Sequence, residues 1–523
     1  MRRMAKAARL VAVAVAVWVV LAIIGALMTP PWRLQPYDDH IALASADTSI
    51  ASSHSGSGTP IGTYQVRELT ITIPLAAGVS VNAIVREPVG APGGRPAMIM
   101  LHGAGTDDAS EAYGDLAPVL ASAGIVTMVP DKRLDNYSLM HRDYVAMAHD
   151  YEQEFDALRA LPGVDPSKTG VYAESEGTWI SAVMTAERPD IAFSVIAGAP
   201  VYSGRQMTAM AARTYFAMAD VPDEVSDNIE KLSLLDFSLV RFNYADFNAM
   251  PYLDRLTQPT LVAYGTLDPS MPLEQGAKEI RDRAANGSGN RNVTLRYYPV
   301  NHQMRLGSML PAPGQQLDPD YARDVAAWIQ GVAARTGADD WTTPMAAGVQ
   351  PDQLFAVPAA NGMTSGALSI RSLTQLVVLM AGGLGLLMLA GLAGGIAAAI
   401  RWLRGRQEDR RPRRSIGLAA PLWALSGGTT AALAVTLGYL GLVSMDAMRL
   451  TDNPALFDGG WIALRALGAA LAMAWAWLLL RVRDALRTAT VSMTATTTVT
   501  TVTTAMGAAM ICAALAFWGL YAV

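Results

Sequence analysis

Ser175 has the sequence surroundings of a nucleophile. It stands in the string VYAESEG, between a β-rich run and a helical stretch. A nucleophilic serine at a strand-to-helix turn needs small residues two positions before and two after it, because the turn is tight and strained. Ala173 and Gly177 meet this requirement, although Ala173 stands where glycine is usual. We therefore predict a reactive Ser175, with the following helix directing backbone N–H groups at the site.

A glycine-rich turn follows an earlier apolar run, in the string LHGAG that contains His102, Gly103 and Gly105. Such a turn exposes backbone N–H groups, which can stabilise an oxyanion. We predict the backbone N–H groups of Ala104 and Glu176 as the donors, because Glu176 directly follows the nucleophile. His102 is expected to orient the loop. The competing interpretation is an ordinary strand-to-helix turn.

An acid and a base follow two later strand-like runs. Asp268 follows the run in YGTLDPSMP, and His302 follows the run in YYPVNHQM. A neutral imidazole at His302 could take the proton of Ser175, while Asp268 fixes its tautomer and stabilises the imidazolium. Four other histidines lie in linker-like or helical stretches and are expected to be structural: His40, His54, His141 and His149.

The elements that must position these residues alternate between short apolar runs and helical stretches. Two runs near residues 64–88 predict an opening antiparallel pair, and the later runs are continuously apolar. Continuous apolar strands that alternate with helices predict an α/β protein with a mostly parallel sheet covered on both faces. Ligand sites in such sheets lie beyond the carboxyl ends of the strands, where all four motifs fall.

The order of HGAG, Ser175, Asp268 and His302 at successive strand ends resembles the α/β-hydrolase superfamily. VDPSKTGVYAESEG and GTLDPSMP are most similar to its dienelactone-hydrolase and acyl-thioesterase-like branch. The resemblance covers about residues 64–335. It implies an α/β-hydrolase fold that cleaves an ester or thioester through an acyl-Ser175 intermediate, with no metal or organic cofactor. Glu174 and Glu176 add negative charge beside the nucleophile, which could either slow turnover or discourage anionic acyl groups.

A helical segment at about residues 201–255 separates two of the predicted strands, and we expect it to form a cap over the site. An apolar cap would suit an acyl chain, and methionine-rich surfaces adapt to varied ligands. The alternative is that its apolar side chains only pack the cap onto the core. These side chains are Met207, Met210, Phe216, Met218, Phe237, Phe242 and Phe247.

Membrane segments are indicated by composition, because 51% of the residues are hydrophobic and 16% are charged. Five stretches are long and apolar enough to cross about 30 Å of hydrocarbon. They lie at about residues 10–28, 374–400, 416–443, 461–480 and 502–521. We predict an uncleaved anchor at 1–29, linkers at 30–62 and 336–372, a hydrolase domain at 63–335 and four spans within 373–523.

Basic residues cluster on one side of these spans. Four precede the first span, seven arginines separate the second from the third, and three follow the fourth. The loop from Ser444 to Gly460 has a single arginine against three aspartates. The positive-inside rule therefore predicts a cytoplasmic N-terminus and an extracytoplasmic hydrolase domain. Gly391 and Gly395 in the second span have the small-xxx-small spacing that permits close helix packing.

Other function classes receive little support. The net charge of −5, without a basic tract, gives no reason to expect a nucleic-acid partner, and the single cysteine, Cys512, excludes an internal disulfide. The expected partners are a small-molecule or lipid acyl ester and the bilayer, and the oligomeric state stays unknown. An acyltransferase or a peptidase could use the same triad. A non-catalytic membrane sensor or assembly module is the alternative from another class, and the spans lack the polar residues expected for transport.

Overall fold

The computed structural model describes residues 2–30, 33–54, 58–75, 78–359, 368–405, 417–487 and 495–522. The chain divides into two compact units. One consists of Leu34–Thr214 and Val240–Pro358, and it contains the sheet. The other consists of Met1–Arg33, Tyr215–Leu239 and Ala359–Val523, and it contains the long apolar helices.

The first unit is built on a nine-stranded sheet with the order β1-β2-β4-β3-β5-β6-β7-β8-β9. β1 pairs antiparallel with β2 and β2 with β4, whereas every later pair is parallel. The predictions of an opening antiparallel pair and a mostly parallel sheet are therefore confirmed. The strands are β1 Val66–Pro74, β2 Ser80–Pro88, β3 Arg95–Leu101, β4 Val126–Pro130, β5 Val164–Glu174, β6 Ser194–Ala197, β7 Thr260–Gly265, β8 Val293–Tyr298 and β9 Ala346–Gly348.

Successive strand residues point to opposite faces of the sheet, and β7, β8 and β3 from Ala97 onward are buried at every position. Both faces of this part of the sheet are therefore covered. Met98 and Met100 of β3 join a core with Leu120 and Trp328 from helices on one face. The helices of this unit are α2 Leu116–Ser122, α3 Tyr144–Arg159, α4 Gly177–Glu187, α7 Met250–Leu253, α8 Gln275–Arg283 and α9 Pro319–Ala333, together with most of α5 Gly204–Met218.

The segments predicted as linkers are hydrogen-bonded into this unit. The Tyr37 N–H donates to the Leu354 carbonyl at 3.0 Å, and the buried Arg296 guanidinium donates to the Thr48 carbonyl at 2.8 Å. The second segment also contains β9, which pairs with β8. The small polar residues of these two segments show no apolar periodicity, and the three residues of β9 are too few to show alternation. The sequence therefore does not indicate that the segments are ordered.

Within the described residues, five helices are long and apolar enough to cross a membrane, as predicted. They are α1 Arg2–Met28, α10 Leu373–Gly405, α11 Ala419–Met448, α12 Gly460–Arg487 and α13 Ala495–Phe517. Among the described residues, no neighbouring atom lies within 4 Å of the position that a Cβ would take at Gly391 or Gly395, so these glycines make no close helix contact within the chain. The close approach is instead between Gly383 and Gly507, where an added Cβ would lie within 2.8 Å of the opposing carbonyl oxygen.

Residues Tyr215–Leu239, from the segment predicted as a cap, belong to the unit that contains these apolar helices. They include α6 Asp223–Glu230 and a 3₁₀ turn at Lys231–Leu234. Their polar side chains contact residues at or near the ends of several of these helices. The contacts are Asp227 with Arg33 at 3.3 Å, Glu224 with the Trp461 indole N–H at 3.0 Å, and the Lys231 ammonium with the Phe517 carbonyl.

Candidate active site

Ser175 lies at a sharp turn between the end of β5 and the start of α4. Its φ of 53° is in the left-handed region, which is uncommon for a residue other than glycine and indicates local strain. The Ser175 N–H donates to the Ala197 carbonyl at 3.0 Å, which ties the turn to the neighbouring strand. Gly177 is required here, because a Cβ at that position would lie 2.5 Å from the Leu101 carbonyl oxygen.

His302 and Asp268 come together behind this turn. His302 Nδ1 lies 2.6 Å from Asp268 Oδ2, and the Asp268 side chain has no exposed surface. Because a carboxylate only accepts, Nδ1 carries the proton and Nε2 is the nitrogen available to Ser175. Asp268 is held by the Ser270 N–H at 2.8 Å and the Ser270 hydroxyl at 2.6 Å.

Charge and burial act in opposite directions on His302. Burial lowers the pKa of its imidazole, but Asp268, through its charge and hydrogen bond, and the charge of Glu174 outweigh burial and raise the pKa to about 9. The same pairing holds the pKa of Asp268 below its usual range although burial opposes it. The pair therefore favours an imidazolium beside an ionised carboxylate, the state that forms when a base accepts a proton.

One cavity of about 220 Å³ is lined by Ser175, His302 and the predicted oxyanion loop, His102, Gly103 and Ala104. The loop approaches the nucleophile closely, since a Cβ at Gly103 would lie 3.1 Å from the Ser175 Cβ. Gly105 completes the turn with a φ of 82°. The site residues predicted from the sequence thus lie around one cavity, with Asp268 behind His302 and Glu176 directly after Ser175.

The oxyanion loop is fixed by two contacts. His102 is buried, and its Nε2 lies 3.0 Å from the Pro130 carbonyl oxygen at the end of β4. Burial lowers the pKa of His102, so its imidazole is neutral at physiological pH. The Lys132 ammonium donates to the Gly103 carbonyl at 2.9 Å. Both contacts orient the loop without placing His102 in the role of the base.

Ser175, Asp268 and His302 follow β5, β7 and β8, in a sheet whose first strands are antiparallel and whose remaining strands are parallel. A strained serine between a strand and a helix at the carboxyl edge of such a sheet has the geometry of the nucleophile elbow. The chain has an α/β-hydrolase fold. Its hydrolase unit therefore has the architecture that the sequence motifs predicted.

Three solved structures are each similar to less than half of this chain. An esterase from Pyrococcus furiosus is 18% identical, covers 46% of this chain and 83% of its own, and has a TM-score of 0.33. Est1E from Butyrivibrio proteoclasticus is 17% identical, covers 45% and 90%, and has a TM-score of 0.32. Dipeptidyl peptidase 4 of Porphyromonas gingivalis is 15% identical, covers 47% and 33%, and has a TM-score of 0.35. No protein-family model and no curated protein sequence matches the chain.

The side chain of Glu176 lies in a buried polar network that the sequence did not indicate. Its carboxylate is 3.3 Å from the Lys132 ammonium and 2.5 Å from the Arg142 guanidinium. It also accepts hydrogen bonds from the hydroxyls of Tyr137 at 2.9 Å and Tyr144 at 3.0 Å. These partners come from the connection between β4 and α3 and from the start of α3, where no motif marks them.

The remaining cavity wall is mostly polar, although Leu116, Met304 and Leu317 also line it. Beyond the predicted catalytic residues it includes Glu174, the ion pair of Arg305 with Asp115 at 2.5 Å, and the tyrosines 113, 172 and 321. Within the part of the chain that the structure describes, the seven apolar residues of the predicted cap do not line this cavity. Met210 and Phe216 are buried instead, which favours the packing alternative for the cap side chains.

Proposed function

We propose that this protein is a serine hydrolase that cleaves ester or thioester bonds through an acyl-Ser175 intermediate. The observation that carries the proposal is the cavity shared by Ser175 and His302, with His302 Nδ1 bonded at 2.6 Å to the buried Asp268. The strained turn at Ser175 supports it, because strain of this kind is concentrated at functional sites. The similarity of the motifs to the dienelactone-hydrolase and thioesterase branch supports an ester or thioester as the substrate.

The steps follow from the roles that this geometry supports. Ser175 Oγ attacks the carbonyl carbon while His302 Nε2 accepts its proton, and Asp268 stabilises the imidazolium. The N–H groups of Ala104 and Glu176 stabilise the oxyanion of the tetrahedral intermediate. The imidazolium then protonates the leaving alcohol or thiol. A water molecule, activated by the same imidazole, releases the acid and restores Ser175.

Fluorophosphonate labelling of the full-length protein in detergent tests the nucleophile. We expect the wild type to be labelled stoichiometrically and Ser175→Ala to be unlabelled, while the matched control Ser110→Ala, an exposed serine, is labelled as the wild type. Asp268→Asn should slow turnover of a neutral ester by about 10⁴-fold, because the wrong tautomer faces Ser175. Labelling that persists in Ser175→Ala, or a folded wild type that does not react, would contradict the triad.

Product analysis separates hydrolysis from the alternatives. A panel of acyl esters and thioesters of graded chain length is expected to release the free acid. Transfer of the acyl group to an added alcohol at a rate that exceeds hydrolysis would instead indicate an acyltransferase. Cleavage of peptides without cleavage of esters would indicate a peptidase. A folded protein that neither reacts with the probe nor cleaves any substrate would indicate the sensor or assembly module.

We further propose that the hydrolase domain lies on the extracytoplasmic side. The basic flanks of the spans support this orientation, although the arginine-rich loop at residues 406–416 lies outside the described residues. A second support comes from Tyr215–Leu239. This segment contacts residues at the ends of spans that the predicted topology assigns to the outer side, namely Arg33 after α1, Trp461 at the start of α12 and Phe517 at the end of α13.

Cysteine labelling in intact cells tests this orientation. In a Cys512→Ser background, Val89→Cys in the hydrolase domain and Leu486→Cys at the end of α12 introduce single exposed thiols. A membrane-impermeant maleimide is expected to label Val89→Cys in intact cells. It should label Leu486→Cys only after the cells have been permeabilised. The reverse pattern would contradict the proposed orientation.

A further inference from the structure

Glu174, the residue before the nucleophile, lines the cavity together with Ser175 and His302. The two cationic groups that act on its carboxyl group, His302 and Arg305, are each bonded to another carboxylate, Asp268 at 2.6 Å and Asp115 at 2.5 Å. Among the described residues, Glu174 forms no ion pair with a lysine or arginine. A carboxylate in this position is stabilised by any positive group that enters the cavity.

Burial raises the pKa of the Glu174 carboxyl, and Asp115 acts in the same direction. His302 and Arg305 lower this pKa, as does a hydrogen bond with the Tyr172 side chain. The Tyr172 hydroxyl itself accepts a hydrogen bond from the Tyr321 hydroxyl at 2.9 Å. Tyr172, which hydrogen-bonds to Glu174, is thus a neutral group, and Glu174 itself is part of the cavity wall.

Tyr113 contributes an aromatic surface to the same cavity. Its hydroxyl donates to the Leu101 carbonyl at 3.0 Å, and its ring packs edge-on against Tyr172 with centroids 5.2 Å apart, so the ring is held in place. Its φ of 52° is unfavourable for a tyrosine, and such strain is found at ligand sites. Aromatic rings attract cations electrostatically, and an adjacent carboxylate adds to that attraction.

We propose that Glu174 and Tyr113 form a subsite for a cationic group of the substrate, such as an alkylammonium, beside the nucleophile. The proposal rests on the proposed hydrolase function, because the subsite is part of the cavity that holds Ser175 and His302. A cavity of about 220 Å³ is smaller than the roughly 300–1,000 Å³ of sites for drug-sized ligands. It therefore fits a small charged head group better than a long acyl chain, and Glu174 disfavours anionic groups.

Protection against fluorophosphonate labelling tests the subsite directly. The two competitors are choline and 3,3-dimethyl-1-butanol, which have the same shape and differ in the positive charge. In the wild type we expect choline to halve the labelling rate at a concentration about 10-fold lower than its neutral isostere, a difference that corresponds to about 1.4 kcal/mol. Glu174→Gln should reduce this ratio to about 2-fold or less, since it removes the charge and keeps the shape.

Glu111→Gln is the matched control, because Glu111 also lines the cavity and is exposed. This variant should keep the ratio of the wild type. Tyr113→Leu is a second test variant that leaves Glu174 in place, and it should raise the protective concentration of choline about 3-fold, because the ring is lost. Equal protection by the two competitors in the wild type, or a ratio that persists in Glu174→Gln, would overturn the proposal. If choline and its neutral isostere protect Ser175 equally, their shared hydroxyl group accounts for the binding, and the subsite is neutral.

Binding of choline, measured by calorimetry on the same full-length proteins, separates this proposal from the hydrolase function. Binding that is lost in Glu174→Gln, in a protein that the fluorophosphonate does not label, would support the subsite and contradict the nucleophile. Labelling of Ser175 without any binding of choline would support the nucleophile and overturn the subsite. Preference for an ester with a trimethylammonium group over its uncharged carbon isostere, absent in Glu174→Gln, would support both.

Discussion

The two glutamates that flank Ser175 have opposite surroundings. On one side, the Glu176 carboxylate is 3% exposed and is bonded to Lys132, Arg142 and two tyrosine hydroxyls. On the other side, Glu174 lines the cavity and has a tyrosine as its hydrogen-bond partner. The turn at Ser175 separates the two, because Glu174 ends β5 and Glu176 precedes α4.

This difference shows that the effect of a glutamate beside Ser175 on the charge of the site depends on the groups that its side chain contacts. The Lys132 ammonium and the Arg142 guanidinium compensate the carboxylate of Glu176, so its negative charge does not oppose an oxyanion at the neighbouring N–H group. Glu174 contributes a negative charge to the cavity and raises the pKa of His302. The first region is therefore compatible with a developing oxyanion, while the second supports the imidazolium and a cationic ligand.

The largest expected effect comes from removing the buried carboxylate of Glu176. Glu176→Ala leaves Lys132 and Arg142 without their shared partner, and burial already lowers the pKa of Lys132. Breaking a buried ion pair on one side costs about 3–5 kcal/mol. We expect the free energy of unfolding of the hydrolase domain to fall by that amount, as measured by urea-dependent proteolysis of the full-length protein in detergent.

A double-mutant cycle sharpens this result. Lys132→Met in the Glu176→Ala background removes one uncompensated charge, so the double variant should be more stable than the sum of the two single effects indicates. A loss below about 1 kcal/mol in Glu176→Ala would contradict the description of the network, since that is the range of exposed ion pairs.

A smaller effect is expected for Glu174, and it concerns pH rather than stability. His302 must be neutral to accept a proton, so kcat/KM for an uncharged ester should rise as pH increases through the pKa of His302, which is raised to about 9. Glu174 contributes to that increase. Glu174→Gln should therefore move the ascending limb to lower pH by about 0.5–1 unit and increase activity at neutral pH.

Glu111→Gln again serves as the control, because Glu111 lines the cavity but is absent from the groups that shift the pKa of His302. The profile of this variant should coincide with that of the wild type. A limb that does not move in Glu174→Gln would show that the two regions flanking Ser175 do not differ electrostatically at the base. A limb that moves to higher pH would contradict the sign of the proposed interaction.

The sequence predicted the elements and residues that have local signals. The sheet class follows from apolar runs that alternate with helices, and the turn at Ser175 follows from the small residues Ala173 and Gly177. Asp268 and His302 could be identified because each directly follows an apolar strand. These features depend on neighbours in the sequence, and such neighbours are visible without a structure.

What the sequence could not predict depends on contacts between distant residues. Lys132 and Arg142 are 44 and 34 residues from Glu176, and both lie outside any motif. The separate roles of Glu174 and Glu176 therefore could not be assigned from the string AESEG. The same holds for Gly383 and Gly507, whose close contact joins α10 and α13, whereas Gly391 and Gly395 make no such contact among the described residues.

The smallest expected effect comes from Glu187, which ends the helix that begins after Glu176. Its carboxylate is partly exposed and lies 3.0 Å from His149 Nε2, whose side chain is 54% exposed. Exposed pairs contribute about 0–1 kcal/mol, and a carboxylate at a helix C-terminus is disfavoured by the helix dipole. Because these contributions oppose each other, Glu187→Gln should change the free energy of unfolding by less than about 0.5 kcal/mol. The urea-dependent proteolysis used for Glu176→Ala measures this change, and a loss as large as that of Glu176→Ala would show that burial does not distinguish the two ends of the helix.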